Sequence, residues 1–179
     1  MRPMIRVWDP FVRTFHWALA LSFTVAWLSG EGSERLHQFA GYVVGALVLA
    51  RIAWGFLGPR YARFSQFLRP AGAIADYLKS IVSGSEPRFI GHNPAGGAMI
   101  VVLLASLAAT AATGWMLTTD AFWGSTAVQR LHSILAHGLL LLVIVHIAGV
   151  ALASVRHNEN LVRAMTLGVK RAPGPGDVA

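Results

Sequence analysis

Four stretches of the chain are apolar almost without interruption, at roughly Phe11–Ser29, Leu36–Leu57, Pro94–Thr118 and Ala127–Val155. Each is near or above the ~20 residues that a helix needs to cross a bilayer. Their few polar positions are scattered, so none shows the wet face of a surface helix. The pattern predicts an all-α membrane protein, a four-transmembrane-helix bundle forming a single domain over residues 1–171. The first stretch lacks a small-residue cleavage site and a second apolar stretch follows at once, so it reads as a span and not as a signal peptide. Between the second and third spans, Ile74, Tyr77, Leu78 and Ile81 recur at helical spacing while Asp76, Lys79 and Ser80 fall on the other side. They predict a short helix starting at Pro70 and lying in the membrane interface. Asn93-Pro94 reads as an N-cap followed by proline at the first helical position. The tail 172–179, APGPGDVA, reads as disordered.

Composition sharpens this picture. Apolar residues make up 55% of the 179 and charged residues 13%, about half the ~25% of a soluble domain. A disordered chain is excluded. The absence of cysteine excludes disulfides, zinc–thiolate sites, iron–sulfur clusters and covalent c-type haem attachment. The net charge of +7 would suggest nucleic acid in a soluble protein, but its distribution says otherwise. Arg2, Arg6 and Arg13 lie at the N-terminus, and Arg156, Arg163, Lys170 and Arg171 at the C-terminus. Arg51, Arg60, Arg63, Arg69, Lys79 and Arg88 lie in or beside the long central connection. The other two connections hold only Arg35 and Arg130. Thirteen against two predicts that both termini and the long loop are cytoplasmic. The charge then records membrane topology and contact with anionic lipid, with no nucleic-acid partner. Trp8, Trp17 and Trp54 fall toward the inner interface, and Trp27, Trp115 and Trp123 toward the outer one.

Histidines carry the chemistry, because ionisable side chains within spans are expensive and mark function. His132 and His146 are 14 residues apart on the fourth span. At 3.6 residues per turn they fall within about 40° of one another and about 21 Å apart along the axis. One helix therefore presents two histidines on one face at two depths, and each needs its own partner. With the N-terminus inside, His16 lies at inner depth and His37 at outer depth. The predicted pairs are His16 with His146, and His37 with His132.

Opposed neutral imidazoles suit bis-histidine ligation of haem iron. Zinc would need further ligands at each depth, and the spans offer no carboxylate or thiolate. Gly41 and Gly45 follow His37 on its face, and Gly149 follows His146 by three residues. They would admit a flat macrocycle, or else serve tight helix packing. Arg51, 14 residues after His37, is placed to hold a haem propionate through its guanidinium fork, with snorkelling as the alternative. Arg35 and Arg130 flank the outer pair and could serve the outer haem or the surface. His137 is off the ligand face and reads as packing or a hydrogen-bond donor. His92 reads as tying the loop to the third span, with lining of a quinone or proton path as its other reading, and His157 as interfacial.

The fragments VWDPFVRTFHW, LHQFAGYVVGALVLARIAWGFLG, GHNPAGGAMI, LHSILAHGLLLLVIVHIAGV and RHNENLVRAMTLGVKR together resemble the prokaryotic cytochrome b561 family. That family is related to the b-type cytochrome subunit of membrane-bound nickel–iron hydrogenases. The resemblance implies a four-helix protein of the bacterial cytoplasmic membrane with two haems b, and His16, His37, His132 and His146 as axial ligands. It implies electron transfer between the quinone pool and a redox partner, either cytochrome c-like or a dehydrogenase or hydrogenase subunit. Relatives often have glutamate after the first histidine of the fourth span, where this chain has Ser133. A second reading is a stand-alone quinone-coupled oxidoreductase acting on a small oxidant or reductant such as superoxide. A third, a histidine-based metal or proton transporter, lacks the intramembrane carboxylates such a path uses.

Overall fold

The computed structural model describes residues 3–178. Met1, Arg2 and Ala179 lie outside the described residues, and with them the place of Arg2 in the charge distribution. Four helices are long and apolar enough to cross a membrane. They are α1 (Pro10–Ser29), α2 (Glu34–Leu57), α5 (Pro94–Met116) and α6 (Thr126–Arg156). Their bounds fall within two residues of those read from the hydrophobic pattern.

Each long helix starts at a side-chain cap, which occupies an N–H that the first turn leaves without a partner. Asn93 Oδ1 accepts from Gly96 N at 2.6 Å, with Pro94 in the first helical position. Asp9-Pro10 repeats the device, Asp9 Oδ1 accepting from Val12 N at 3.1 Å. Ser33 and Ser125 accept more weakly from Leu36 N and Val128 N.

Between α2 and α5 run a short 3-10 turn (Arg60–Ala62), α3 (Phe64–Phe67) and α4 (Ala71–Ser83). Helix α4 forms where the periodicity puts it, and one polar position, Ser80, departs from the expected outer side. Tyr77 is packed, with Ile74, Ser80 and Ile81 half-buried, while Leu78 is exposed beside Val82. Ser80 can face inward because its Oγ donates to Tyr77 O within the helix. The exposed apolar edge of Leu78 and Val82 suits a helix in contact with lipid.

After α6 come α7 (Leu161–Leu167) and β2 (Val169–Arg171), and β1 (Met4–Arg6) precedes α1. Strands β1 and β2 pair antiparallel, Ile5 opposite Lys170. The two ends of the chain are therefore hydrogen-bonded to one another, which puts both on the same side of a membrane. The expected disordered tail is a correction. Ile90 N donates to Val178 O and Val178 N to Arg88 O, each at 2.8 Å, so residues 172–178 are tied to the central loop. The physical reason is Arg88, whose guanidinium bonds Asp177 in the tail and Glu159 after α6.

Trp8 is likewise no belt residue. It is 9% exposed and packs with Val7, Ile90 and Ala164. The other five tryptophans stay partly exposed, as an interfacial role requires.

Where the sequence predicts a single domain, the described residues group into two compact units. One comprises residues 3–13, 54–101 and 145–178, with the strand pair, α3, α4 and α7. The other comprises residues 14–53 and 102–144. Each long helix contributes to both, so the division is not between consecutive stretches of chain.

Candidate functional site

The second unit contains a pair of facing imidazoles. His37 lies in the first turn of α2 and His132 two turns into α6. Their ring centroids are 6.0 Å apart and the ring planes stand at 85°. Two metal–imidazole bonds of ~2 Å, plus about 1 Å from each nitrogen to its ring centre, put opposed ligands about 6 Å apart. The separation therefore fits a single metal ion between the rings.

The tautomers fit as well. His37 Nδ1 lies 2.8 Å from Ala26 O. His132 Nδ1 lies 3.1 Å from Thr110 O and 3.0 Å from Thr113 Oγ1. A carbonyl oxygen only accepts, so both Nδ1 atoms carry the hydrogen. Each Nε2 then holds the lone pair that a metal needs, and the Nδ1–H bond fixes the ring's orientation. The Thr113 hydroxyl accepts from His132 while donating to Ala109 O at 3.0 Å.

These supporting groups are absent from the sequence reading. Thr110, Thr113 and Gly114 share one face of α5 at i, i+3, i+4, and polar or small residues at that spacing inside a span signal a helix contact. A Cβ at Gly114 would stand 3.1 Å from His132 Cε1, so glycine there gives the imidazole its room. Gly41 has a different surrounding. A Cβ there would meet nothing within 4 Å, and one at Gly45 would make only ordinary contact with Ala111 Cβ at 3.7 Å. Tight helix packing therefore does not explain Gly41, and open space beside the ligand face suits a flat cofactor. Gly149 is also open on its Cβ side.

Arg51 is 3% exposed, which removes the snorkelling reading. Arg35 and Arg130 are exposed. His16 stands edge-on to Trp17 at 5.0 Å in the unit that holds His37 and His132, whereas His146 belongs to the other unit. The pairing of His16 with His146 expected from the sequence rests on helical spacing and membrane depth alone.

The remaining histidines have other partners. His137 is exposed, donates from Nδ1 to Ser133 O at 2.8 Å and stands edge-on to Trp27 at 5.3 Å. His92 lies between Trp8, at 4.5 Å, and Phe67, at 4.8 Å. His157 follows α6. Burial pushes its pKa down, and Arg88 and Lys170 add to this against the carboxylates of Glu86 and Glu159. Among the described residues no group of three or more His, Cys, Asp or Glu could hold a metal ion.

A family model described as prokaryotic cytochrome b561 matches residues 7–168. Among curated proteins the chain is similar to a probable Ni/Fe-hydrogenase B-type cytochrome subunit of Rhodobacter capsulatus. Identity is 25%, over 93% of this chain and 81% of that protein. A probable Ni/Fe-hydrogenase B-type cytochrome subunit of Bradyrhizobium diazoefficiens is 24% identical over 95% of this chain and 87% of its own length. No solved structure matches.

Proposed function

Because the chain belongs to the prokaryotic cytochrome b561 family, we propose that this membrane b-type cytochrome binds two haems b and passes electrons between the quinone pool and a redox protein. The observation that carries the reading is the His37–His132 pair, facing at 6.0 Å with both Nδ1 atoms committed to carbonyl oxygens. Haem, when bound, supplies a one-electron carrier.

The residues themselves orient and hold. Ala26 O fixes the His37 ring, and Thr110 O and Thr113 fix that of His132, so neither ligand has to reorganise. Gly41 and Gly45 leave space beside the ligand face of α2. His16 and His146 are the proposed ligands of the second haem, on their spacing in the sequence. Arg51, buried and cationic, is assigned to a propionate of that haem, because a guanidinium fork matches a carboxylate in two bonds.

The similar proteins are named as cytochrome subunits of hydrogenases. A hydrogenase or dehydrogenase subunit, or a c-type cytochrome, is accordingly the proposed redox partner. Both termini and the long loop are proposed to lie in the cytoplasm, since those segments and their edges hold thirteen of the fifteen basic residues.

The test is haem quantitation by pyridine haemochrome, with a reduced-minus-oxidised spectrum of the purified protein. Two haems b per chain are expected. A folded but colourless protein would overturn the reading.

A further inference from the structure

Resting on the haem reading above, we propose that the C-terminal end of α1 sets the potential of the haem held by His37 and His132, the Ala26 carbonyl drawing on the ring hydrogen of His37 and lowering that potential. Ala26 is a positioning residue in this reading, acting on the iron only through the imidazole. The sequence builds the arrangement in the turn after α1. Gly30, Gly32 and Ser33 are poor helix formers and good turn residues. Only residues 30–33 separate α1 from α2, so the last turn of one helix lies against the first turn of the next. Ser29 O accepts from Gly32 N at 3.1 Å and from Ser33 N at 3.0 Å, which closes the hairpin. Helical side chains lean toward the N-terminus of their own helix, and this carries the His37 ring back over the end of α1. Its Nδ1 there lies 2.8 Å from Ala26 O.

What distinguishes this acceptor is its place in the helix. The last four carbonyls of an α-helix lack a following turn to supply their N–H partners, and they carry the negative end of the helix dipole. In α1 these belong to residues 26–29. Gly30 N donates to Trp27 O at 3.4 Å, and Ser29 Oγ donates to Val25 O at 2.6 Å while approaching Ala26 O at 3.4 Å. The bond from His37 to Ala26 O is much shorter than that approach. His132 meets a different acceptor. Thr110 lies six residues before the end of α5 at Met116, and its carbonyl also accepts from Thr113 Oγ1 at 3.0 Å. The two ligands of one haem therefore face unequal partners, a helix end behind His37 and a shared mid-helix carbonyl behind His132.

A strong acceptor at Nδ1 raises the basicity of the imidazole at Nε2. That favours ferric over ferrous iron, because the ferric state carries the extra positive charge, and so lowers the potential. Helix α2 begins beside the same ring, and the positive end of its dipole acts in the opposite sense through space. The hydrogen bond acts through the ring itself. Changing the carbonyl alone therefore separates it from that field.

An ester carbonyl accepts a hydrogen bond more weakly than an amide carbonyl. The experiment uses the haem-loaded full chain with Trp27 replaced by its α-hydroxy acid analogue, which turns the Ala26 carbonyl into an ester. The α-hydroxy analogue of Leu28 is the control, since it also removes one helix N–H but weakens the Trp27 carbonyl. Redox titration in the visible spectrum reads both midpoints, and His132→Ala identifies the component of this pair by removing it. The Trp27 analogue should raise that midpoint and leave the other in place, while the Leu28 analogue should move neither. Inserting two glycines after Gly32 loosens the hairpin and should raise the same midpoint, a second route where the ester costs haem retention. A midpoint that stays unmoved, that falls, or that moves as far with the Leu28 analogue overturns the proposal. Loss of this haem from both the ester and the insertion, with no midpoint to read, overturns it too. If the parent protein binds two haems and the ester shifts neither, only the tuning by α1 fails. If the parent protein binds no haem, the cytochrome reading fails and takes the tuning with it.

Discussion

Replacing Thr113 with valine tests whether the hydrogen bonds behind His132 tune a bound metal. Valine keeps the β-branch and nearly the volume of this buried residue, so packing on α5 is preserved. What disappears is the hydroxyl 3.0 Å from His132 Nδ1. The ring hydrogen keeps Thr110 O, at 3.1 Å, so no buried donor is orphaned. The loss is one net hydrogen bond, about 1 kcal/mol, and not the larger penalty of an unsatisfied group. Haem retention at this pair should fall about fivefold. A weaker Nδ1–H bond also makes the imidazole a poorer electron donor, and the ferric state is the one that needs electron density more. The potential of this haem should rise by about 40 mV if the whole 1 kcal/mol acts on the ferric form, given 59 mV per tenfold for one electron. A redox titration followed in the visible spectrum, with haem retention measured in detergent, reads both quantities. A shift of the other haem alone, a downward shift, or no shift would refute the argument.

Other outcomes follow from the same geometry. His37→Ala or His132→Ala should remove one of two haems, whereas His137→Ala should keep both, checked by pyridine haemochrome. Arg51→Gln should lower the potential of one haem by tens of millivolts, because a buried cation disfavours the more positive ferric state; the same redox titration reads it. Arg88→Met should destabilise the fold by about 3–5 kcal/mol, the effect of stranding a buried charge partner, measured by thermal unfolding in detergent. Burial alone would raise the pKa of Glu159, but the Arg88 hydrogen bonds, with Lys170 and Arg171 N, outweigh it and hold the carboxyl below its ordinary 4.5. Its contribution to stability is therefore complete above pH 4.5 and lost as pH falls through the lowered value, so acid should selectively loosen the 159–178 segment in hydrogen exchange. Reporters fused to either terminus should be active only in the cytoplasm.

The four spans were legible because a bilayer demands about 20 apolar residues in succession, a local property of sequence. The Asn93 cap was legible for the same reason, as its donor lies three residues away. The facing of His37 and His132 could be inferred without contacts, since helical period fixes face and topology fixes depth. Their anchors could not. The carbonyl of Ala26 is offered by every residue, and only the packed helices select which one meets Nδ1 of His37. Ser80 reads as facing away on α4 but is half-buried, because its hydroxyl donates to Tyr77 O within the helix, which a pattern of apolar positions does not weigh.

The latch at the chain ends was illegible for a different reason. Arg88 reaches 71 residues to Glu159 and 89 to Asp177, and Lys170 reaches 80 to Ile90 O. No short-range rule forecasts such pairs, and a tail of Gly and Pro looks disordered when nothing shows what holds it. Arg88 and Lys170 are 5% and 4% exposed, yet both count among the thirteen basic residues that predict the orientation. The two roles do not conflict, because they act at different times. The charge bias operates on connections while the spans insert, before a distant carboxylate is in reach. Once the ends have met, the same guanidinium and ammonium are desolvated and would be destabilising without Glu159 and Asp177. Burial in the folded state therefore leaves the topological argument intact, and it explains why the carboxylates of this segment stand where the basic residues would otherwise be left unpaired.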